Sequence, residues 1–160
     1  MSVRDQSLEP SIRRAVLTDA FRLAALSETL GYPVAAPVLE ERLRGVLARP
    51  DDLVLVAERG AGEVLGWVHA SVQEPLESDR HCEILGLVVD AAHQGHGVGR
   101  RLVEAVEAWA CQRTIDRVTV RSNVARAGSH PFYERLGYRR VKTQHVYGKR
   151  LPDAGRSRPA

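Results

Sequence analysis

The stretch from Cys82 to Cys111, CEILGLVVDAAHQGHGVGRRLVEAVEAWAC, constrains this chain more than any other. Cys82 to Val89 is an apolar run rich in β-branched residues and short enough for a buried strand. Asp90 to Gly99 reads as a loop with glycines at 95, 97 and 99. From Val98 the pattern turns helical: Val98, Leu102, Ala105, Val106 and Trp109 recur on one face. Arg100, Arg101, Glu104 and Glu107 fall largely elsewhere on that helix.

A strand, a glycine loop and a helix N-terminus in that order make an anion site. The first turn of a helix has amide N–H groups without intrahelical partners, and its dipole end is positive. Glycines let a phosphate approach the backbone, because no Cβ intervenes. Arg100 and Arg101 add two charges at the same end. Gln94 to Gly99 therefore reads as a pyrophosphate cradle; taken alone, it reads equally well as a glycine-rich turn before a surface helix. Two common phosphate motifs fail. Started at Gly95, the dinucleotide pattern G-x-G-x-x-G and the P-loop pattern both need glycine where Arg100 stands.

The spacing that fits is Q-x-x-G-x-G, as Gln94-Gly95-His96-Gly97-Val98-Gly99. This segment resembles the acetyl-CoA-binding motif of the GNAT family of N-acetyltransferases, whose amides hold the CoA pyrophosphate. One departure is His96, where a basic or small residue is common. A second family signature, F-Y-x-x-x-G followed by Phe or Tyr, is matched by Phe132-Tyr133-Glu134-Arg135-Leu136-Gly137-Tyr138. The resemblance covers about residues 11–150. It implies that Tyr133 is the general acid and that Asn123, near the end of the strand after the long helix, contacts CoA. It also implies a gap between the strands at 82–89 and 117–122. There the backbone N–H groups of Leu87, Val88 and Val89 would serve the pantetheine arm and the oxyanion. Gly86 within the first of these strands suits a bulge or a close backbone approach. On its own, an aromatic pair such as Phe132-Tyr133 also suits a core.

The 160 residues suffice for one domain. A hydrophobic content of 44% and a charged content of 27% are ordinary for a soluble globular protein. The net charge of +3 is too small to argue for nucleic acid and suits a polyanionic cofactor. No apolar run approaches a membrane span, and MSVRDQSLEP lacks the apolar core of a signal peptide. A cytoplasmic location is the expectation. Cys82 and Cys111 make no disulfide framework, and both are expected buried and inert.

In order, the chain predicts a strand at 11–16, a helix capped by Thr18 or Asp19 with Phe21, Leu23, Ala24, Leu26 and Leu30 as its apolar surface, and a second helix from Pro37 to about Ala48. Strands follow at 53–58 and 64–73 around the turn Gly60-Ala61-Gly62, then the central strand and the long helix. After these come a strand at 117–122, a helix at about 131–136 and two last strands at 138–142 and 144–149. The order β-α-α-β-β-β-α-β-α-β-β gives an α/β fold with a mixed sheet in a single domain, residues 11–150, with flexible ends at 1–10 and 151–160. It also matches the family.

Acetyl transfer needs a held cofactor, a neutral amine, a stabilised oxyanion and a thiolate that can leave. An alkylamine has a pKa near ~10, so a base is needed at neutral pH. Glu83, in an otherwise apolar strand, either serves as that base through water, or pairs with an arginine or faces solvent. His69 and His81 are weaker candidates. No histidine spacing suits a metal, and none is expected; His93 and His96 lie where they would meet phosphate. The acceptor, a small-molecule or peptide amine, would sit among residues 27–37, the loop 74–80 and the last hairpin. Glu28, Glu74, Glu77 and Asp79 there either attract a cation or are plain surface charges. Two classes remain: an acetyl-CoA-dependent N-acetyltransferase, and a non-catalytic acyl-CoA-binding or sensor module of the same fold. A homodimer through Val141, Val146 and Tyr147 is a further expectation.

Overall fold

A computed structural model describes residues 9–122, 124 and 128–152. They fall into two units, 1–123 and 124–160, each described by itself.

The first unit contains β1 (Ser11–Arg14), α1 (Ala20–Thr29), α2 (Ala36–Leu47), β2 (Asp52–Arg59), β3 (Glu63–Gln73), β4 (His81–Val89), α3 (Val98–Gln112) and β5 (Val118–Val120). The strands form one mixed sheet in the order β1-β2-β3-β4-β5. The first four pair antiparallel, and β4 pairs β5 in parallel. Gly60 and Gly62, at φ +57° and +98°, make the tight turn between β2 and β3. Leu53 to Ala57 of β2 are all buried, as expected for a strand covered on both faces. On one face, Leu23 and Leu26 of α1 and Leu43 of α2 pack with Val54, Val56, Val64 and Val88. On the other lies α3, whose Leu102 reaches within 3.4 Å of where a Cβ on Gly66 would stand. The α3 core face is Val98, Gly99, Leu102, Val103, Val106, Trp109 and Ala110.

Several expectations need correction. Phe21, expected on the buried face of α1, is 78% exposed. The expected cap of α1 takes another form: a 3-10 turn at Leu17–Asp19 precedes the helix. The Asp19 carboxylate accepts from Val16 N–H at 2.8 Å and from both Arg13 Nη atoms at 2.8 and 2.9 Å. Burial alone would push the Asp19 carboxyl up; the Arg13 and Val16 hydrogen bonds outweigh it and hold it below the usual carboxylate range. Cys111 is exposed, because the core face of α3 passes through Trp109 and Ala110 and leaves position 111 outside.

The second unit holds α4, Ser129–Arg135. It begins before Pro131 rather than at it. Proline lacks only an N–H that the first turn of a helix leaves unpaired anyway, so Ser129 and His130 can precede it. Gly137, at φ +91°, closes the helix. Its N–H donates to Glu134 O at 3.0 Å, and Tyr138 N–H donates to Tyr133 O at 3.0 Å. The two last strands do not form: residues 138–150 carry no regular secondary structure, and 139–150 are all exposed. Their few apolar residues, Val141 and the adjacent pair Val146-Tyr147, stand apart among charged and polar ones. A hairpin without a hydrophobic face to bury is marginal in water.

Candidate active site

The centre of the site is a strand that is paired along its length on one side and only over its first part on the other. On its β3 side, β4 pairs from His81 to Val89, with one interruption. Gly86 stands opposite His69 and Ile84 opposite Ala70, so Leu85 is the extra residue of a β-bulge. The bulge expected at Gly86 is therefore present. A second reason for glycine there is packing: a Cβ would lie 3.0 Å from Cη2 and Cζ3 of Trp67. On its other side, β4 pairs β5 only at Cys82, Ile84 and the Glu83 between them. From Leu85 on, that edge has no partner strand among the described residues.

The alternation of the backbone decides which groups the open edge presents. Cys82 N–H donates to Arg117 O on the β5 side at 3.0 Å. Past the bulge, Asp90 N–H donates to Leu65 O on the β3 side at 2.8 Å. Counting back by twos, Val88 also faces β3, while Leu87 and Val89 present their N–H groups to the open edge. Leu87 and Val89 are thus the available donors of the expected three.

The edge runs straight into the glycine loop. Asp90 Oδ1 accepts Ala92 N–H at 3.1 Å and caps a 3-10 turn at Ala91–His93. That N–H, and then Arg22, hold the Asp90 carboxyl below its ordinary range. Arg22 Nη2 reaches Asp90 Oδ2 at 2.5 Å, and His93 Nδ1 lies 3.8 Å from the same oxygen. Gln94 turns back, its Nε2 donating to Val89 O at 3.2 Å. Gly95 and Gly97 adopt φ +77° and +84°, a left-handed backbone that other residues resist. A Cβ on either would meet nothing within 4 Å, so both border open space. Gly97 is the N-cap of α3. His96 and Arg100 are exposed, whereas Val98 and Gly99 are buried in the first turn. Only the backbone of those two can face a ligand. Arg101 pairs with Glu9 at 2.9 Å rather than standing beside Arg100 at the loop.

Glu83 is 8% exposed, and its Oε1 meets Arg121 Nε at 2.9 Å. Of the alternatives for this carboxylate, the arginine pair is present; a water-mediated base role is compatible with it. His69 Nε2 is held by Asp52 Oδ1 at 2.8 Å, and His81 Nδ1 lies 2.9 Å from Asp79 O. The neighbouring thiol is no nucleophile at neutral pH. Burial, opposed by Arg113 and reinforced by Glu83, pushes Cys82 up to about 11. Among the described residues, no group of three or more His, Cys, Asp and Glu side chains is placed to hold a metal ion. No helix among them is long and apolar enough to cross a membrane.

In the second unit, Tyr133 is half-buried on α4. Its ring meets Phe132 edge-on at 5.0 Å and Tyr138 at 5.8 Å. The cluster fixes the ring through packing. Asn123 lies outside the described residues. Two residues of the first unit escaped the reading of the sequence. Arg22 is 68 positions from its partner Asp90, beyond any local pattern. Asp90 did carry a signal, an acidic residue closing a strand before a turn.

Comparison with known proteins gives a consistent result. The family model described as Acetyltransferase (GNAT) family matches residues 17–138. An aminoglycoside N(6')-acetyltransferase type 1 from Stenotrophomonas maltophilia is 29% identical over 147 residues, 89% of this chain and 94% of that protein. A mycothiol acetyltransferase from Amycolatopsis mediterranei is 31% identical over 103 residues, 62% of this chain and 34% of that protein. Among solved structures, the aminoglycoside N-acetyltransferase AAC(6')-Iy in complex with CoA superposes with a TM-score of 0.82 at 17% identity. That match covers 93% of this chain and all of that one, 100%.

Proposed function

The chain belongs to the acetyltransferase (GNAT) family, and from that premise we propose that it transfers acetyl from acetyl-CoA to a primary amine of a small molecule. Attack is direct, within a ternary complex. The observation that carries this reading is the half-paired strand β4 leading into the open glycine loop. Acetyl-CoA, when bound, supplies the acetyl group as an activated thioester. The residues present fit it: Gly95 and Gly97 border open space at the start of a long helix, where the backbone amides and Arg100 suit a pyrophosphate. Leu87 and Val89 N–H groups hold the pantetheine arm and the carbonyl oxygen as charge develops there. Glu83, paired with Arg121, takes the proton of the amine through water. Tyr133 returns a proton to the departing sulfur. The buried Cys82 supports direct transfer over an acyl-cysteine route.

A small-molecule acceptor is favoured by the relative from S. maltophilia, whose similarity spans nearly both chains. Aminoglycosides therefore head the acceptor panel, ahead of polyamines and peptide N-termini. The test is release of free CoA thiol from acetyl-CoA with each amine. Turnover with one amine class is the expected result. Binding of acetyl-CoA without turnover on any amine would favour a sensor module instead.

A further inference from the structure

We propose that Arg22 of α1 is a positioning residue that sets the geometry of the cofactor loop by clamping Asp90. The inference rests on reading that loop as the acetyl-CoA site. The β4 strand ends at Val89, and the path of the loop is decided at Asp90. Several contacts converge on that residue. Its backbone O accepts His93 N–H at 2.8 Å. Its N–H donates to Leu65 O at 2.8 Å, its Oδ1 accepts Ala92 N–H at 3.1 Å, and its Oδ2 receives Arg22 Nη2 at 2.5 Å. The same guanidinium donates through Nε to Val64 O on β3 at 3.0 Å. One planar fork thus joins the start of β3 to the carboxylate that begins the loop. At the far end of the turn, Gln94 Nε2 holds Val89 O at 3.2 Å.

The turn at 90–94 is therefore held at both ends. Gly95 and Gly97 follow it with no side chain of their own to fix them. Their amides take their direction from the turn below. The clamp is too exposed to matter much to the fold: the Arg22 side chain is 40% exposed and that of Asp90 25%, and such pairs add little stability. Its effect falls instead on how well ordered the loop is before the cofactor arrives. A preformed loop binds without a separate ordering penalty. Lysine cannot replace the fork, because one ammonium does not offer the fixed pair of donors that reaches Val64 O and Asp90 together.

The experiment compares wild type with Arg22→Gln, Arg22→Lys and Asp90→Asn in the full chain. Three readouts are needed: acetyl-CoA affinity by calorimetry, steady-state kinetics by thiol release, and backbone amide exchange without cofactor. Arg22→Gln should raise Kd and KM for acetyl-CoA about tenfold, the scale seen when a group supporting a ligand contact is lost. The amine KM, kcat and melting temperature should stay near wild type. Amides of residues 92–97 should exchange faster, while those within α3 should not. Asp90→Asn should move in the same direction, and Arg22→Lys should recover part of the loss. Unchanged acetyl-CoA affinity and exchange in Arg22→Gln would overturn the proposal, as would a variant that loses melting temperature and all kinetic parameters together. A normal Asp90→Asn beside a defective Arg22→Gln would also overturn it, since no clamp through Asp90 would then exist. If wild type itself fails to bind acetyl-CoA, the reading of the loop falls, and this inference with it.

Discussion

Two segments of this chain read as strands, and they end differently. The run at 82–89 becomes β4, paired along β3 and buried at Cys82, Glu83, Ile84 and Val88. The run at 138–150 stays without regular structure, with Val141, Val146 and Tyr147 at 88%, 88% and 91% exposure. Propensity is similar in both. What differs is the apolar surface available to bury: one run is nearly continuous, the other is broken by arginine, lysine and polar residues. Strand preference is largely a preference for a half-buried pleated surface, and without burial it decides little.

The largest expected effect lies in the less regular unit. If Tyr133 is the general acid, Tyr133→Phe keeps the ring contacts to Phe132 and Tyr138 and loses only the hydroxyl. Turnover should fall by roughly 10²–10⁴. The loss should appear in kcat and kcat/KM together, with acetyl-CoA affinity little changed. Near-normal turnover with lower stability would make Tyr133 a packing residue and nothing more.

Next in size is a matched pair of glycine changes in the ordered unit. Gly97 and Gly60 both have left-handed φ, +84° and +57°, and both face open space. Valine at either should lower stability by about 1–2 kcal/mol through backbone strain. Only Gly97→Val should also weaken acetyl-CoA binding, by about tenfold or more, each tenfold being about 1.4 kcal/mol. Equal affinities in the two variants, measured by calorimetry, would mean that the loop is not the cradle.

The legibility of the sequence follows the same division. The glycine loop ahead of α3, the β4 bulge beside Gly86 and the core face of α3 were readable, because each is a local pattern: a motif, a lone glycine in a strand, a 3.6-residue period. The pairing of Glu83 with Arg121 was left open as one of its two readings, since the partner's position depends on where β5 lies. The Arg22–Asp90 clamp was invisible, because long-range pairing of charges leaves no local trace. The last two strands were over-read, since nothing in their sequence supplies an apolar face to bury. Phe21 was misplaced for a related reason: α1 buries Ala20, Leu23, Ala24, Leu26 and Ser27, and position 21 falls off that stripe.

A smaller effect concerns acid. The Asp19 carboxyl is held below its ordinary range in the folded chain, so its contribution is fully present above the unfolded value near ~3.9. That contribution is lost as pH falls through the depressed folded value. Asp19→Asn should therefore lower stability by roughly 1–3 kcal/mol at neutral pH. The gap to wild type should begin to narrow below ~3.9 and close only as pH falls through the depressed folded value, where the wild-type carboxyl is protonated as well. Denaturant melts of the two proteins across pH would show a constant gap if the Arg13 pair contributes nothing. The smallest effect is expected at the far end of the chain. Val146→Asp and Tyr147→Ser should change stability by less than about 0.5 kcal/mol, the range for exposed sites. A clear loss of stability would show that this run is buried after all. If it occurs with a fall in mass toward 17.7 kDa by light scattering, the burial is against a second copy.

The central claim is that the open edge of β4 and the glycine loop together hold acetyl-CoA. Titrating acetyl-CoA into isotopically labelled protein, and following each backbone amide by nuclear magnetic resonance, tests it most directly. The account predicts that Leu87, Val89, Gly95, His96, Gly97 and Val98 shift most. Amides in β1 and β2 should move little. Saturable binding whose shifts leave Leu87, Val89 and the 95–98 amides in place would contradict it.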